Sequence, residues 1–133
     1  MYVEQMEAIN YHDRYFAPVK TADNGEAGND TVFHYRQDGS IVWATYKGGA
    51  IRFGSLIAQV GADGSLEMRY QHINAGGEFM HGRCRSRPEV LEDGRLRLHE
   101  RWEWLSGDGS KGESVIEEIA GCREAEPEAK GSI

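Results

Sequence analysis

The stretch that decides the fold is residues 38–82, DGSIVWATYKGGAIRFGSLIAQVGADGSLEMRYQHINAGGEFMHG. Asp38-Gly39, Gly48-Gly49, Asp63-Gly64 and Gly76-Gly77 punctuate it, and the segments between are strand-length and rich in Val, Ile, Tyr, Phe and Trp. Asp-Gly and Gly-Gly supply the positive-φ positions that tight hairpin turns require, so each pair predicts a reversal between antiparallel strands. Asp93-Gly94 and Asp108-Gly109 continue the series. A weak internal repeat runs through it. Asp38-Gly39-Ser40-Ile41, Asp63-Gly64-Ser65-Leu66 and Asp93-Gly94-Arg95-Leu96 each open a strand, and each unit ends near a further glycine at Gly54, Gly82 or Gly112.

Eight strands follow: Tyr15 to Lys20, Thr31 to Arg36, Ile41 to Lys47, Ile51 to Val60, Ser65 to Ile73, Glu78 to Ser86, Arg95 to Leu105 and Gly112 to Ile119. Thr21 to Asp30 reads as a loop. Met1 to Asn10 is read as a short helix and 122–133 as a disordered polar tail, which leaves 1–121 as a single domain. The fold class is all-β, an antiparallel up-and-down meander. Closure into a lipocalin-like barrel removes both sheet edges and is preferred. The alternative is an open hairpin-repeat sheet with a groove in place of a cavity.

The composition is that of one ordinary globular domain. The 133 residues contain 39% hydrophobic and 28% charged residues, with 15 Lys and Arg against 22 Asp and Glu. The resulting charge of −7 repels phosphate backbones and anionic membranes, so nucleic acid and membrane are not expected partners. Glu4 and Glu7 stand where a signal peptide carries positive charge, and the longest uncharged stretch, Phe53 to Ala62, is half a membrane span. A cytoplasmic location is expected, with Cys84 and Cys122 as free thiols.

With two-residue turns throughout, strand pleating assigns one face to Phe33, Tyr35, Val42, Ala44, Tyr46, Ile51, Phe53, Ser55, Ile57, Leu66, Met68 and Tyr70. This is the expected core. The opposite face receives His34, Arg36, Trp43, Thr45, Arg52, Glu67, Arg69 and Gln71, together with Ile41, Leu56 and Val60. Carrying the parity on through His72 and an even-length turn brings Phe79, His81, Arg83 and Arg85 inward. The alternation of Leu96 and Leu98 adds Glu100, Trp102 and Trp104.

Arginines, histidines and a glutamate among aromatics would need water, one another or a ligand. The expected ligand site is therefore Tyr70, His72, His81, Arg83, Arg85, Glu100, Trp102 and Trp104. The two arginines would anchor a small anionic, partly apolar molecule, because the guanidinium fork matches carboxylate and phosphate. An odd-length loop at Ala75-Gly76-Gly77 would instead turn Met80, Gly82, Cys84 and Ser86 inward and leave the arginines solvated.

No catalytic residue, cofactor or metal site is assigned. His72 and His81 would face each other across a hairpin centred on Gly76-Gly77, but two histidines do not make a zinc site. Neither a Gly-x-Ser-x-Gly elbow nor a phosphate-binding glycine loop is present. Two other readings stay open. One is a small enzyme with His72 or His81 as general base beside Arg83 and Arg85. The other is a homodimeric interaction protein using Trp43, Ile41 and Leu56 over a filled core.

The segment from Thr31 to Ile119, with TVFHYRQDGSIVWATYKGGAIRFGSLIAQV, LEMRYQHIN and LRLHERWEWLSGDGSKGESVIEE, resembles a group of small bacterial proteins that often carry the name N-acetylglutamate synthase. That name implies an acyl-CoA-dependent acetyltransferase, whose common type holds pyrophosphate on a glycine loop at a helix N-terminus. Neither that helix nor that loop occurs here. Length and meander are also similar to lipocalin-like and fatty-acid-binding barrels, a likeness of architecture.

Overall fold

A computed structural model describes residues 9–120. Its strands are β1 (Arg14–Lys20), β2 (Val32–Asp38), β3 (Ile41–Gly48), β4 (Ile51–Val60), β5 (Leu66–Asn74), β6 (Phe79–Val90), β7 (Leu96–Trp104) and β8 (Lys111–Glu118). Each pairs antiparallel with its neighbours in sequence, and β8 returns to β1 to close the barrel. The eight expected strands are all present, and closure excludes the open sheet. Nearly all of the expected helix at the N-terminus and the whole tail at 122–133 lie outside the described residues; residues 9 and 10 are not helical.

The turns differ from the expected two-residue type in a systematic way. Gly39-Ser40 and Gly49-Ala50 are two-residue connections. Elsewhere the backbone closes between Gly61 and Ser65, Asn74 and Glu78, and Leu91 and Arg95, which leaves three-residue loops. Gly64, Gly77 and Gly94 occupy the last position of these loops, with φ of 86°, 83° and 91°. This is the three-residue hairpin in which a left-handed glycine follows a turn. At these three turns the glycine signal marks the reversal correctly but miscounts the loop by one residue; between β7 and β8 the loop is longer, with Trp104 closing on Ser110.

One extra residue, in a bulge in β4 and in a loop before β6, decides the faces. In β4 the pairing with β5 slips between Ile51 and Phe53, so Gly54, Leu56 and Ala58 turn inward. Phe53 and Ile57, expected in the core, are instead 55% and 64% exposed, whereas Leu56, expected outside, is buried. Across the 75–77 loop, His72 pairs with Met80 and Tyr70 with Gly82. The inner face of β6 is thus Gly82, Cys84 and Ser86. His81, Arg83 and Arg85 point outward, and His72 and His81 do not face each other. β7 follows its own alternation, with Leu96, Leu98, Glu100, Trp102 and Trp104 on the inner side.

The barrel has two unlike ends. At the end formed by the β2–β3, β4–β5 and β6–β7 turns, the chain before β1 folds under the strands. Tyr11 is fully buried there and donates its hydroxyl hydrogen to the Gly64 carbonyl oxygen at 2.5 Å. Phe16, Tyr35, Val42, Leu66, Leu96, Leu98 and Ile116 fill the space above it. Each such side chain contributes roughly 1.5–3 kcal/mol by leaving water. This half is solid. The other half, under the β1–β2, β3–β4, β5–β6 and β7–β8 connections, is not.

Candidate binding cavity

An eight-stranded barrel is just wide enough either to be filled by its side chains or to hold one small ligand. Here the open half holds a half-open cavity of about 90 Å³, walled by Tyr70, Cys84, Glu100, Trp102, Trp104 and Ser114 among others. The aromatic rings meet edge to face: Trp102 and Trp104 centroids are 5.8 Å apart, Tyr70 and Trp104 5.7 Å. Such geometry places the electropositive edge of one ring against the electron-rich face of the next.

Glycines on neighbouring strands make room for these rings. Tyr46 stands directly opposite Gly54, Tyr70 opposite Gly82, and Trp102 opposite Gly112. A β-carbon added at Gly54 would lie 2.4 Å from the Tyr46 ring, at Gly82 2.4 Å from the Tyr70 hydroxyl, and at Gly112 2.4 Å from the Trp102 indole. The internal repeat thus has a packing cause. Each unit supplies one large inward aromatic and one glycine across from it, over which the ring lies.

A loop at 21–31 lies across the mouth. It is fastened at three places. The Trp104 indole N–H donates to the Asn24 carbonyl oxygen at 2.9 Å, and the Asn24 amide donates to the Lys111 carbonyl oxygen at 2.9 Å. Glu26 reaches in to accept from His72 Nε2 at 2.7 Å and from the Asn74 amide at 3.0 Å, while the Tyr46 hydroxyl lies 3.1 Å from His72 Nδ1. At the loop's end the fully buried Thr31 hydroxyl donates to the Gly48 carbonyl oxygen at 2.8 Å and accepts from the Gly28 amide at 2.9 Å.

Glu100 is the unusual group. It sits mid-barrel, flanked in register by Ser86 on β6 and Ser114 on β8. Its hydrogen bond from Ser114 is long, 3.3 Å. Among the described residues no Arg, Lys or His forms an ion pair with it. Burial pushes its carboxyl up to about 7, against a weak opposing pull from Ser114. It is part-buried and lines the cavity. The neighbouring Cys84 thiol and the Tyr35, Tyr46 and Tyr70 phenols are likewise pushed up, chiefly by burial, and stay neutral around it.

Of the residues expected at a ligand site, the structure brings together Tyr70, His72, Glu100, Trp102 and Trp104 and leaves out His81, Arg83 and Arg85. Arg83 pairs with Glu103 at 3.0 Å and Arg85 with Glu67 at 2.6 Å, both more than half exposed on the outer wall. Exposed pairs of this kind contribute little. With the arginines and His81 outside, the cluster proposed for a small enzyme does not converge. Among the described residues no three metal-binding side chains come together either.

Glu26, Asn24 and Thr31 were not among the expected site residues, and Ser114 was not expected as a ligand contact. The one signal for the first three is length: 21–31 is the longest connection in a barrel otherwise joined by short turns, and long ordered loops tend to be functional. A search of curated protein sequences returns no match. A family model for avidin-like proteins matches residues 9–119, the whole described barrel from its buried plug to the end of β8. Nothing in that match corresponds to an acetyltransferase, and the name suggested by the earlier resemblance is set aside. The closed eight-stranded meander and the family match agree: this chain belongs to the avidin-like family.

Proposed function

We propose that this protein is a small-molecule binding barrel whose ligand occupies the cavity beneath the 21–31 loop. The observation that carries this reading is the division of the barrel into a solid half and a hollow one. A well-packed interior leaves few voids larger than a water molecule, so an aromatic-walled space of about 90 Å³ is a feature to be explained. Avidin-like barrels bind small ligands, biotin among them, which supports the same reading. Rings of the ligand would lie against Tyr70, Trp102 and Trp104, with its polar atoms toward Glu100 and Ser114. The charged side chains facing the cavity are acidic, and this favours a neutral or cationic ligand over the anionic one expected when Arg83 and Arg85 were placed inside.

The test is a fluorescence titration, with biotin as the first probe and a panel of small cyclic amides, ureas and amines after it. A saturable change in tryptophan emission is expected. In Trp104→Phe, which loses the indole donor to Asn24, affinity should fall about tenfold, one hydrogen bond's worth. No response to any probe would sink the proposal.

A second reading, self-association, has its own observation. On the outer wall Trp43 faces Ile57 across β3 and β4, and Phe53, Ile73 and Phe79 form a row across β4, β5 and β6. Phe53, Ile57 and Phe79 are all more than half exposed. Clustered apolar surface of this kind marks association. Ile57 takes the place that Leu56 was expected to hold. Sedimentation velocity should show a dimer or larger species that Ile57→Lys converts to monomer; a wild-type monomer at high concentration counts against it.

A further inference from the structure

Resting on the binding reading, we infer a ligand class: the cavity takes an organic cation, its ammonium or amidinium end set against Glu100 and its apolar part held among Tyr70, Trp102 and Trp104. Two features of the wall point the same way, and a third lies behind it.

First, Glu100 has no cation of its own. A carboxyl in a low-dielectric interior is stable as an anion only with a charge partner or several donors, and here the protein offers one long hydrogen bond from Ser114. The lining contains no Lys or Arg, and its one histidine, His72, is already engaged by Glu26 and by Tyr46. A second carboxylate, Glu26, faces the same space from the loop above.

Second, the rest of the wall suits a cation. Ring faces carry negative electrostatic potential, and a box of Trp and Tyr is the recurring means of holding an ammonium group away from water. Tyr70, Trp102 and Trp104 form such a box, each tilted by more than 60° to its neighbour, so the cavity is bounded by faces and edges in alternation. An anion would meet those faces and two carboxyl groups, with no Lys or Arg to offset either.

Third, hydrogen-bonding capacity beside Glu100 is left over. Ser86 Oγ and the Tyr35 hydroxyl are sealed from solvent and have no hydrogen-bond partner among the described residues. Ser86 shares the cross-strand row with Glu100 and Ser114. Such groups are rare in folded proteins and call for an explanation; Ser86 and Tyr35 lie behind the cavity wall and bear on Glu100, not on the ligand directly.

The groups that set the charge of this site are Glu100 on β7, Glu26 on the loop, His72 and Tyr70 on β5, Cys84 on β6, and Tyr35 and Tyr46 on β2 and β3. The thiol and the phenols are held neutral, so ionisation of Glu100 is what a cation would recruit.

The experiment compares isosteric rings that differ in charge. Piperidinium and tetrahydropyran are titrated into the full chain at pH 8, read by tryptophan fluorescence and by calorimetry, with biotin alongside. Piperidinium should bind about 10- to 100-fold more tightly than tetrahydropyran, the range of a charge-assisted hydrogen bond. In Glu100→Gln that preference should shrink to within about threefold. Equal binding of the two rings to the wild type overturns the cation assignment and leaves the binding reading standing, and this arm needs no variant to fold. If biotin or tetrahydropyran binds and piperidinium does not, the assignment falls in the same way. If no probe binds, both readings fall together.

Discussion

Gly82→Ala is expected to destabilise the barrel by about 3 kcal/mol and to lower its Tm by about 10 °C, the upper part of the range for overpacking a tight interior. The added methyl would lie 2.4 Å from the Tyr70 hydroxyl and 2.4 Å from the backbone carbonyl oxygen of Glu103. A ring can tilt away. The Glu103 carbonyl belongs to the neighbouring β7 strand and can move only by disturbing the β6–β7 ladder. Gly94→Ala is the control, because its φ of 91° is unfavourable for alanine but no atom lies within 4 Å of the new carbon. That variant should lose only the left-handed backbone cost, about 1–2 kcal/mol. Urea unfolding of both, with m-values unchanged, separates the two causes. If Gly82→Ala proves no less stable than Gly94→Ala, the pairing of inward glycine with cross-strand aromatic is not what the repeat conserves in its own three copies.

How much of this was legible depends on whether a feature is local. Strand positions come from apolar alternation and turn residues within a few positions of each other, and all eight are present. Side-chain direction in β7 was equally local: Leu96 and Leu98 set the parity of their own strand, so Glu100, Trp102 and Trp104 were placed inside without reference to any turn. Arg83 and Arg85 were placed by carrying parity across a loop, and there one residue reverses the answer. The 75–77 loop is odd, and β4 carries a bulge between Ile51 and Phe53; neither leaves a mark in the apolar pattern. The loop at 21–31 was opaque for another reason. Its contacts to His72, Trp104 and Gly48 join positions far apart in sequence, and polar residues such as Asn24 and Glu26 look alike whether they face solvent or close a cavity.

Stability should fall between about pH 4.5 and 7 because of Glu100, and Glu100→Gln should abolish that fall. The sign follows from proton binding. The folded-state carboxyl is raised from its ordinary 4.5 to about 7, so across this window the unfolded chain releases the proton while the fold retains it. Stability then decreases with rising pH, because the unfolded state binds fewer protons. The contribution is whole below about 4.5 and gone above about 7. Its full size is about 3 kcal/mol at most, since water entering the cavity would reduce it. Asp63, Asp93, Asp108 and Glu89 have lowered carboxyls, and they act at the acid end, where stability is lost on protonation. Subtracting the variant's curve from the wild type's removes their effect.

Urea unfolding from pH 4 to 8.5 should show Glu100→Gln ahead by about 2–3 kcal/mol at pH 8 and level with the wild type at pH 4. Parallel curves would mean that the carboxyl is well solvated and not strained by burial. A fold that gains this much from one isosteric change carries a carboxyl its own packing does not need. The same cavity then makes a linked demand on its ligand. A cation bound at Glu100 holds the ionised form in the folded state only, so it should raise stability more at pH 8 than at pH 5, in proportion to the charge it meets there.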